Sequence, residues 1–204
     1  MKVGEKMKIN TDKTVLMVID MQKAFVEPEA ALCIKGAKAT VSGISDTVDK
    51  ARQAGVKIIW VKRVHKADGS DMEPHRKRML EERGLMEVMA PDSKGINSIE
   101  DAEGLFPHEE DMTLIKLRYS SFFGTGLDET LKDMGVDTIV LAGTTTPNCV
   151  RATAFDGISY DYNTVVLDDL CSSNTEEIQR VNIEDMGRAG CTIMSSAEFL
   201  ESLK

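Results

Sequence analysis

A chain of 204 residues with 34 Asp and Glu against 25 Lys and Arg carries a formal charge of -9, so it lacks the basic footprint that nucleic acid or an anionic membrane surface demands of a partner. No window approaches the roughly 18 consecutive apolar residues of a membrane span, and the start, Met1-Lys2-Val3-Gly4-Glu5-Lys6, has no apolar signal-peptide core. The expectation is a soluble, cytoplasmic protein, 1–204 as one domain around one sizeable core.

Apolar runs alternate with amphipathic segments along the chain, the signature of βαβ units in a mostly parallel sheet. The first run spans 14–19 and closes on Asp20. After a loop through Glu27-Pro28-Glu29, apolar residues at Val41, Ile44, Val48 and Ala51 fall at helical spacing, predicting a helix over 37–54 with Gly55 as its stop. A second strand is expected over 56–61. The segment 62–111 is irregular and holds most of the Met, Pro and His residues. Met79, Leu80, Leu85, Met86, Val88 and Met89 suggest one helix within it, and so long an excursion serves either as a lid or substrate wall or as a plain solvated insertion.

A third strand over 112–115 closes on Lys116, and a helix over 127–134 is ended by Gly135. The run 138–142 reads as a strand covered on both faces, followed by Gly143, the crowded turn Thr144-Thr145-Thr146-Pro147-Asn148, and Cys149 at the start of a helix. A strand over 164–167 closes on Asp168, a helix covers 175–189, a last strand 191–194 and a terminal helix 197–203. The predicted fold is α/β: a doubly wound, mostly parallel six-stranded sheet with helices on both faces.

Such sheets bind ligands beyond the carboxyl ends of their strands. Four strands end on, or just before, a reactive residue here: Asp20, Lys116, Cys149 and Asp168. A thiol, a carboxylate and an ammonium can therefore meet on one rim as nucleophile, base and stabilising cation. At a helix N-terminus Cys149 would be favoured as thiolate. Each residue has a plainer reading: a buried cysteine as a small hydrophobe, a strand-end Asp as a turn former or cap, a lysine as surface charge. The cysteines Cys33, Cys149, Cys171 and Cys191 are far apart, with no C-x-x-C pair and too few His for a zinc site of usual spacing, so reduced thiols are expected.

Asp20-Met21-Gln22-Lys23-Ala24-Phe25 resembles the D-x-Q-x-x-F opening of the isochorismatase-like cysteine hydrolases. Lys116 to Thr125 is similar to their K-x-R-x-S-A-F-x-G-T segment, and Thr146-Pro147-Asn148-Cys149-Val150 with Thr153-Ala154 to their cysteine segment T-[DN]-x-C-V-x-x-T-A. The three occur in family order. The resemblance implies a three-layer Rossmann-like sandwich and a catalytic triad of Asp20, Lys116 and Cys149. It also implies a cis peptide at Thr144-Thr145 and an oxyanion hole from the N–H groups of Thr145 and Cys149. Gln22, Phe25, Arg118, Tyr119 and Phe122, all within the motifs, are expected to bind a small-molecule substrate, and the assembly to be a homodimer or homotetramer.

Pro147 and Ser121 depart from the motifs and are expected to change pocket shape rather than mechanism. Members with a metal site carry D-x-H after the second strand; Arg63-Val64-His65 stands there, so no metal and no other cofactor is expected, and His65 and His75 remain candidate pocket walls. The implied activity is a metal-independent cysteine hydrolase that cleaves a small amide or ureido/carbamoyl C–N bond through an acyl-enzyme on Cys149. The alternative is an isochorismatase-type vinyl-ether hydrolase with Asp20 as proton donor, suggested by Arg118-Tyr119-Ser120. A silent binding subunit is the third.

Overall fold

Thr14–Ile19 forms strand β1 at the middle of the sheet, and each of its six residues is buried. A strand covered on both faces needs a continuous run of apolar or β-branched side chains, and this one has it. Alternate residues split between the faces: Leu16 and Val18 join one core cluster, Val15, Met17 and Ile19 the other. The computed structural model describes residues 8–203.

After β1 come a single turn α1 (Lys23–Val26), the long helix α2 (Ala37–Gln53), strand β2 (Lys57–Arg63) and helix α3 (Pro74–Glu82). Next are β3 (Met112–Lys116), α4 (Leu127–Asp133), β4 (Thr138–Thr144), a turn over Thr146–Val150 and α5 (Arg151–Ser159). The chain continues through β5 (Asn163–Ser172), α6 (Glu176–Ala189), β6 (Thr192–Met194) and α7 (Ser196–Ser202). Among the described residues the six strands make one sheet in the order β3-β2-β1-β4-β5-β6, every neighbouring pair parallel. Ile44 and Val48 of α2 and Phe199 of α7 pack on one face; Leu131 of α4, Ala154 of α5 and Met186 of α6 pack on the other. Strand order reverses between β1 and β4, which opens a crevice at their carboxyl ends. No described helix is long and apolar enough to cross a membrane.

Three elements differ from the sequence reading. Strand β2 runs on to Arg63, whose side chain is buried, so the pattern did not stop where the apolar run stopped. Strand β5 extends to Ser172 because it bulges between Val166 and Cys171, opposite Leu141–Gly143 of β4, and pairing resumes as Gly143 with Cys171 and Thr144 with Ser172. Asp168 therefore lies within a strand rather than at its end. In the excursion, the helix is Pro74–Glu82, not one spanning 79–89. Pro74 is preorganised for a first turn, and Gly84 at φ +66 takes the left-handed conformation that ends it. Val88 and Met89 are instead buried from turns, against Ala24 and Phe25.

The excursion is tied down at both ends. Asp111, just before β3, accepts from Arg52 at 2.7 Å and from Trp60 Nε1 at 2.9 Å. Gln22 grips the end of β2 from the other side: its Oε1 accepts from Arg63 N at 2.8 Å and its Nε2 donates to Arg63 O at 3.0 Å.

Candidate active site

Asp20 follows β1 directly and sits at φ +51, a left-handed conformation in which Asp is among the better tolerated residues. Its N–H donates to Val61 O at 2.8 Å, so the turn is fixed to the neighbouring strand. Across the crevice, β4 approaches β1 so closely that a Cβ on Gly143 (φ +115) would lie 2.2 Å from Ile19 O. Only glycine lets these two strand ends meet. The Thr144–Thr145 peptide bond is cis, and Thr145 and Thr146 donate their hydroxyls to Ser172 O at 3.2 and 3.0 Å, lashing the turn to β5.

Cys149 lies within that turn rather than at the first residue of α5. Val150 N reaches back to Thr145 O at 3.4 Å, a five-residue π-type loop of the kind often found at functional sites. Lys116, at the end of β3, extends beneath it. Its Nζ donates to Asp20 Oδ2 at 2.8 Å, to Arg118 O at 3.1 Å and to Cys149 Sγ at 3.3 Å. Lys116 is 0%, Asp20 1% and Cys149 6% exposed, so this ion pair is buried together with the sulfur. The other Asp20 oxygen, Oδ1, is buried and has no hydrogen-bond partner among the described residues.

The sulfur does not behave as a helix N-terminus alone would dictate. Burial pushes the Cys149 thiol up to about 11; the Asp20 carboxylate adds to the rise, and Lys116 only opposes it. The expected depressed thiol is therefore replaced by a buried S–H, because desolvation outweighs one nearby ammonium. Cys171 and Cys191 are also buried and raised, chiefly by burial, but they sit in the core cluster and neither line the cavity nor share the Lys116 contact.

Asp20 and Cys149 open onto a cavity of about 160 Å³, with Lys116 buried behind them. Asp20, Thr144, Thr145, Asn148 and Cys149 form its floor; Phe25, Leu32 and Ile34 form an apolar side; Arg63, Arg76 and Tyr119 form the third. At roughly 30 Å³ per water, it suits a small molecule. A larger depression of about 620 Å³, lined among others by Lys35, Asp168, Asn174 and Gln179, shares none of the three groups.

Among the other residues expected at the site, Phe25, Tyr119 and Thr145 line the cavity. Gln22, Arg118 and Phe122 do not. Gln22 is fully buried with both amide ends spent on the Arg63 backbone. Arg118 points outward and donates to Asp71 O at 2.8 Å. Phe122 packs into the core, its ring stacked 5.3 Å from Tyr160 and 5.8 Å from Tyr162. Ser121 is buried against Thr153 at 3.0 Å and Pro147 is not in the wall, so neither departure lines the cavity. His75 is exposed, and His65 is buried behind Arg63.

Arg63 and Arg76 were not singled out from the sequence. Arg63 carried a signal, as a charged residue in place of the Asp of D-x-H; Arg76, in the irregular segment, carried none. Arg63 also decides whether a metal fits. Its Nε donates to His65 Nε2 at 3.0 Å, so that ring nitrogen's lone pair is occupied. A guanidinium offers a metal no lone pair and repels a cation. Burial, and then the charge of Arg63, hold the His65 imidazole down at about 4. Among the described residues no group of three or more His, Cys, Asp or Glu side chains is placed to hold a metal ion. The donor set does not fit the metal of the D-x-H members.

Comparison with known proteins agrees with this architecture. The family model of the isochorismatase domain matches residues 14–198. A protein of Arabidopsis thaliana named "probable inactive nicotinamidase" is 39% identical over 192 residues, covering 93% of this chain and 96% of the relative. A ureidoacrylate amidohydrolase of Azorhizobium caulinodans is 30% identical, covering 96% and 92%. The crystal structure of a cysteine hydrolase from Pseudomonas syringae pv. phaseolicola superposes with a TM-score of 0.88 at 29% identity, covering 96% and 94%. With the sheet order, the motifs and these matches in agreement, the chain belongs to the isochorismatase-domain family and is a hydrolase of that family.

Proposed function

We propose that this protein hydrolyses a small amide or ureido/carbamoyl C–N bond, without a metal, through an acyl-enzyme on Cys149. The observation that carries the reading is that one buried ammonium, Lys116 Nζ, touches both Asp20 Oδ2 and Cys149 Sγ at the floor of a cavity. The cysteine hydrolase and ureidoacrylate amidohydrolase among its relatives support the same reaction class.

The charge balance explains how a thiol held near 11 can act as nucleophile. Transfer of the S–H proton to Asp20 turns a carboxylate, an ammonium and a thiol into a carboxylic acid, an ammonium and a thiolate. The net charge stays at zero, and Lys116 exchanges one anionic neighbour for another already in contact. Burial penalises a lone thiolate; it does not penalise this exchange to the same degree. The unpartnered Asp20 Oδ1 is free to accept the proton.

The thiolate then attacks the carbonyl carbon, and the oxyanion is received by the N–H groups of Thr145 and Cys149. Asp20 returns its proton to the leaving nitrogen as the C–N bond breaks, leaving a thioester. Asp20 next takes a proton from water, which attacks the thioester and releases the acid and the thiol. Guanidinium-bound His65 takes no part.

Incubation with a panel of small amides and ureides tests this. Ammonia release together with a trapped acyl adduct on Cys149, seen by mass spectrometry, is the expected result. A broad panel giving neither would sink the proposal.

A further inference from the structure

The cavity has a second charged feature that hydrolysis of a neutral amide leaves unexplained. Arg63 is 1% exposed, and three of its contacts are accounted for: Nε to His65 Nε2, Nη2 to Leu117 O at 3.0 Å, and Nη2 to Glu73 Oε1. Its Nη1 is buried and has no hydrogen-bond partner among the described residues, although the side chain lines the cavity. A buried, charged donor left unpaired is costly, and proteins keep one where a ligand supplies the acceptor.

Arg76 of α3 lines the same wall, with Nε 3.6 Å from Glu73 Oε2. The two guanidiniums flank the Tyr119 ring, their carbons 5.1 and 5.7 Å from its centroid, which holds both planes in place. The charged groups in the wall are Asp20, Arg63 and Arg76. Asp20 is matched by Lys116, and Glu73 is shared between the two arginines, so one positive charge is left over. Asp71 lies behind His65, 3.4 Å from its Nδ1, and does not line the cavity. A locally cationic pocket in a chain of net charge -9 selects for an anion.

We propose that Arg63 and Arg76 form an anion subsite beside Cys149, so that the substrate is a small amide or ureide that also carries a carboxylate. This rests on the hydrolase reading above and narrows its substrate class. A planar carboxylate matches the fork of a guanidinium, and both arginines line the cavity that Cys149 also lines. Bound there, it fixes the scissile carbonyl over the sulfur.

N-carbamoylglycine and N-carbamoylglycinamide differ only in a carboxylate against a neutral amide and are the probes. Titrated calorimetrically into the full chain carrying Cys149→Ala, the carboxylate should bind at least about tenfold more tightly. Adding Arg76→Gln should reduce the preference to within about twofold, as should Arg63→Gln. Arg76 is on a surface helix, so its variant decides the matter if the buried Arg63 variant does not fold. Equal affinities, no binding of the carboxylate, or a preference that survives Arg76→Gln overturns the subsite. Ammonia release by the unaltered protein is measured in parallel. No ammonia with the affinity ratio intact counts against the hydrolase reading while supporting the anion subsite.

Discussion

The two sides of the cavity are built by different means. Asp20, Lys116 and Cys149 hang from the ends of β1, β3 and β4, whose relative heights are set by an unbroken ladder of parallel pairing through β2 and β1. Arg76 and Tyr119 come from α3 and the loop after β3, which the sheet does not position. Arg63 joins the two, at the last residue of β2 with its backbone held by Gln22. The proposed chemistry thus sits on the part of the molecule with least freedom, and the proposed selectivity on the part that an altered loop can change without disturbing the core.

Breaking the first side should have the largest effect. Cys149→Ser is expected to lower ammonia release by roughly 10⁴-fold or more. Vinyl-ether hydrolysis that persists in that variant would instead assign the site to proton donation from Asp20, a reaction with no need of sulfur.

Lys116→Met tests whether that side is also a structural linchpin. The ammonium is fully buried, and its loss leaves the Asp20 carboxylate sealed without its ion pair. Removing one partner of such a pair costs about 3 to 5 kcal/mol. A drop of that size in urea unfolding is expected, with partial recovery in the double variant that also carries Asp20→Asn. An unchanged midpoint would show that water reaches the pair and screens it.

The arginine side should reveal itself through pH. His65 is held at about 4, first by burial and then by Arg63, against about 6.5 in an unfolded chain. Between these values the unfolded state binds a proton that the folded state refuses, so stability is full above about 6.5 and falls as pH drops toward 4. The loss should reach roughly 3 kcal/mol, and His65→Gln should remove that part of the slope. A pH profile identical in the two proteins would mean that the ring does not stay neutral behind the guanidinium.

This contrast also decides what could be read from the sequence. The meeting of Asp20, Lys116 and Cys149 is legible because parallel strands bring their carboxyl ends to one rim, so the three are placed together without knowledge of any contact. Membership of a motif, however, does not say which way a side chain faces. Gln22 and Phe122 lie in recognisable segments, yet one ties down the Arg63 backbone and the other packs on two tyrosines. The lowered thiol expected from a helix start failed because burial, a property of the whole fold, outweighs a local dipole. Arg76 had no sequence signal at all, since its role depends on where a turn-rich excursion comes to rest.

Asp168 gives the smallest effect and the sharpest check on the strand-end rule. The sequence pattern ends a strand at Asp168 as it does at Asp20, but β5 bulges between Val166 and Cys171, resumes pairing on to Ser172 and leaves Asp168 exposed within the strand. It lines the larger depression, and its carboxyl is raised by burial and by Asp169 beside it. Asp168→Asn should therefore change kcat/KM by no more than about twofold, the span of an ordinary surface substitution. A loss comparable with that of Cys149→Ser would mean that the wider depression, and not the small one floored by the buried ion pair, holds the reacting bond.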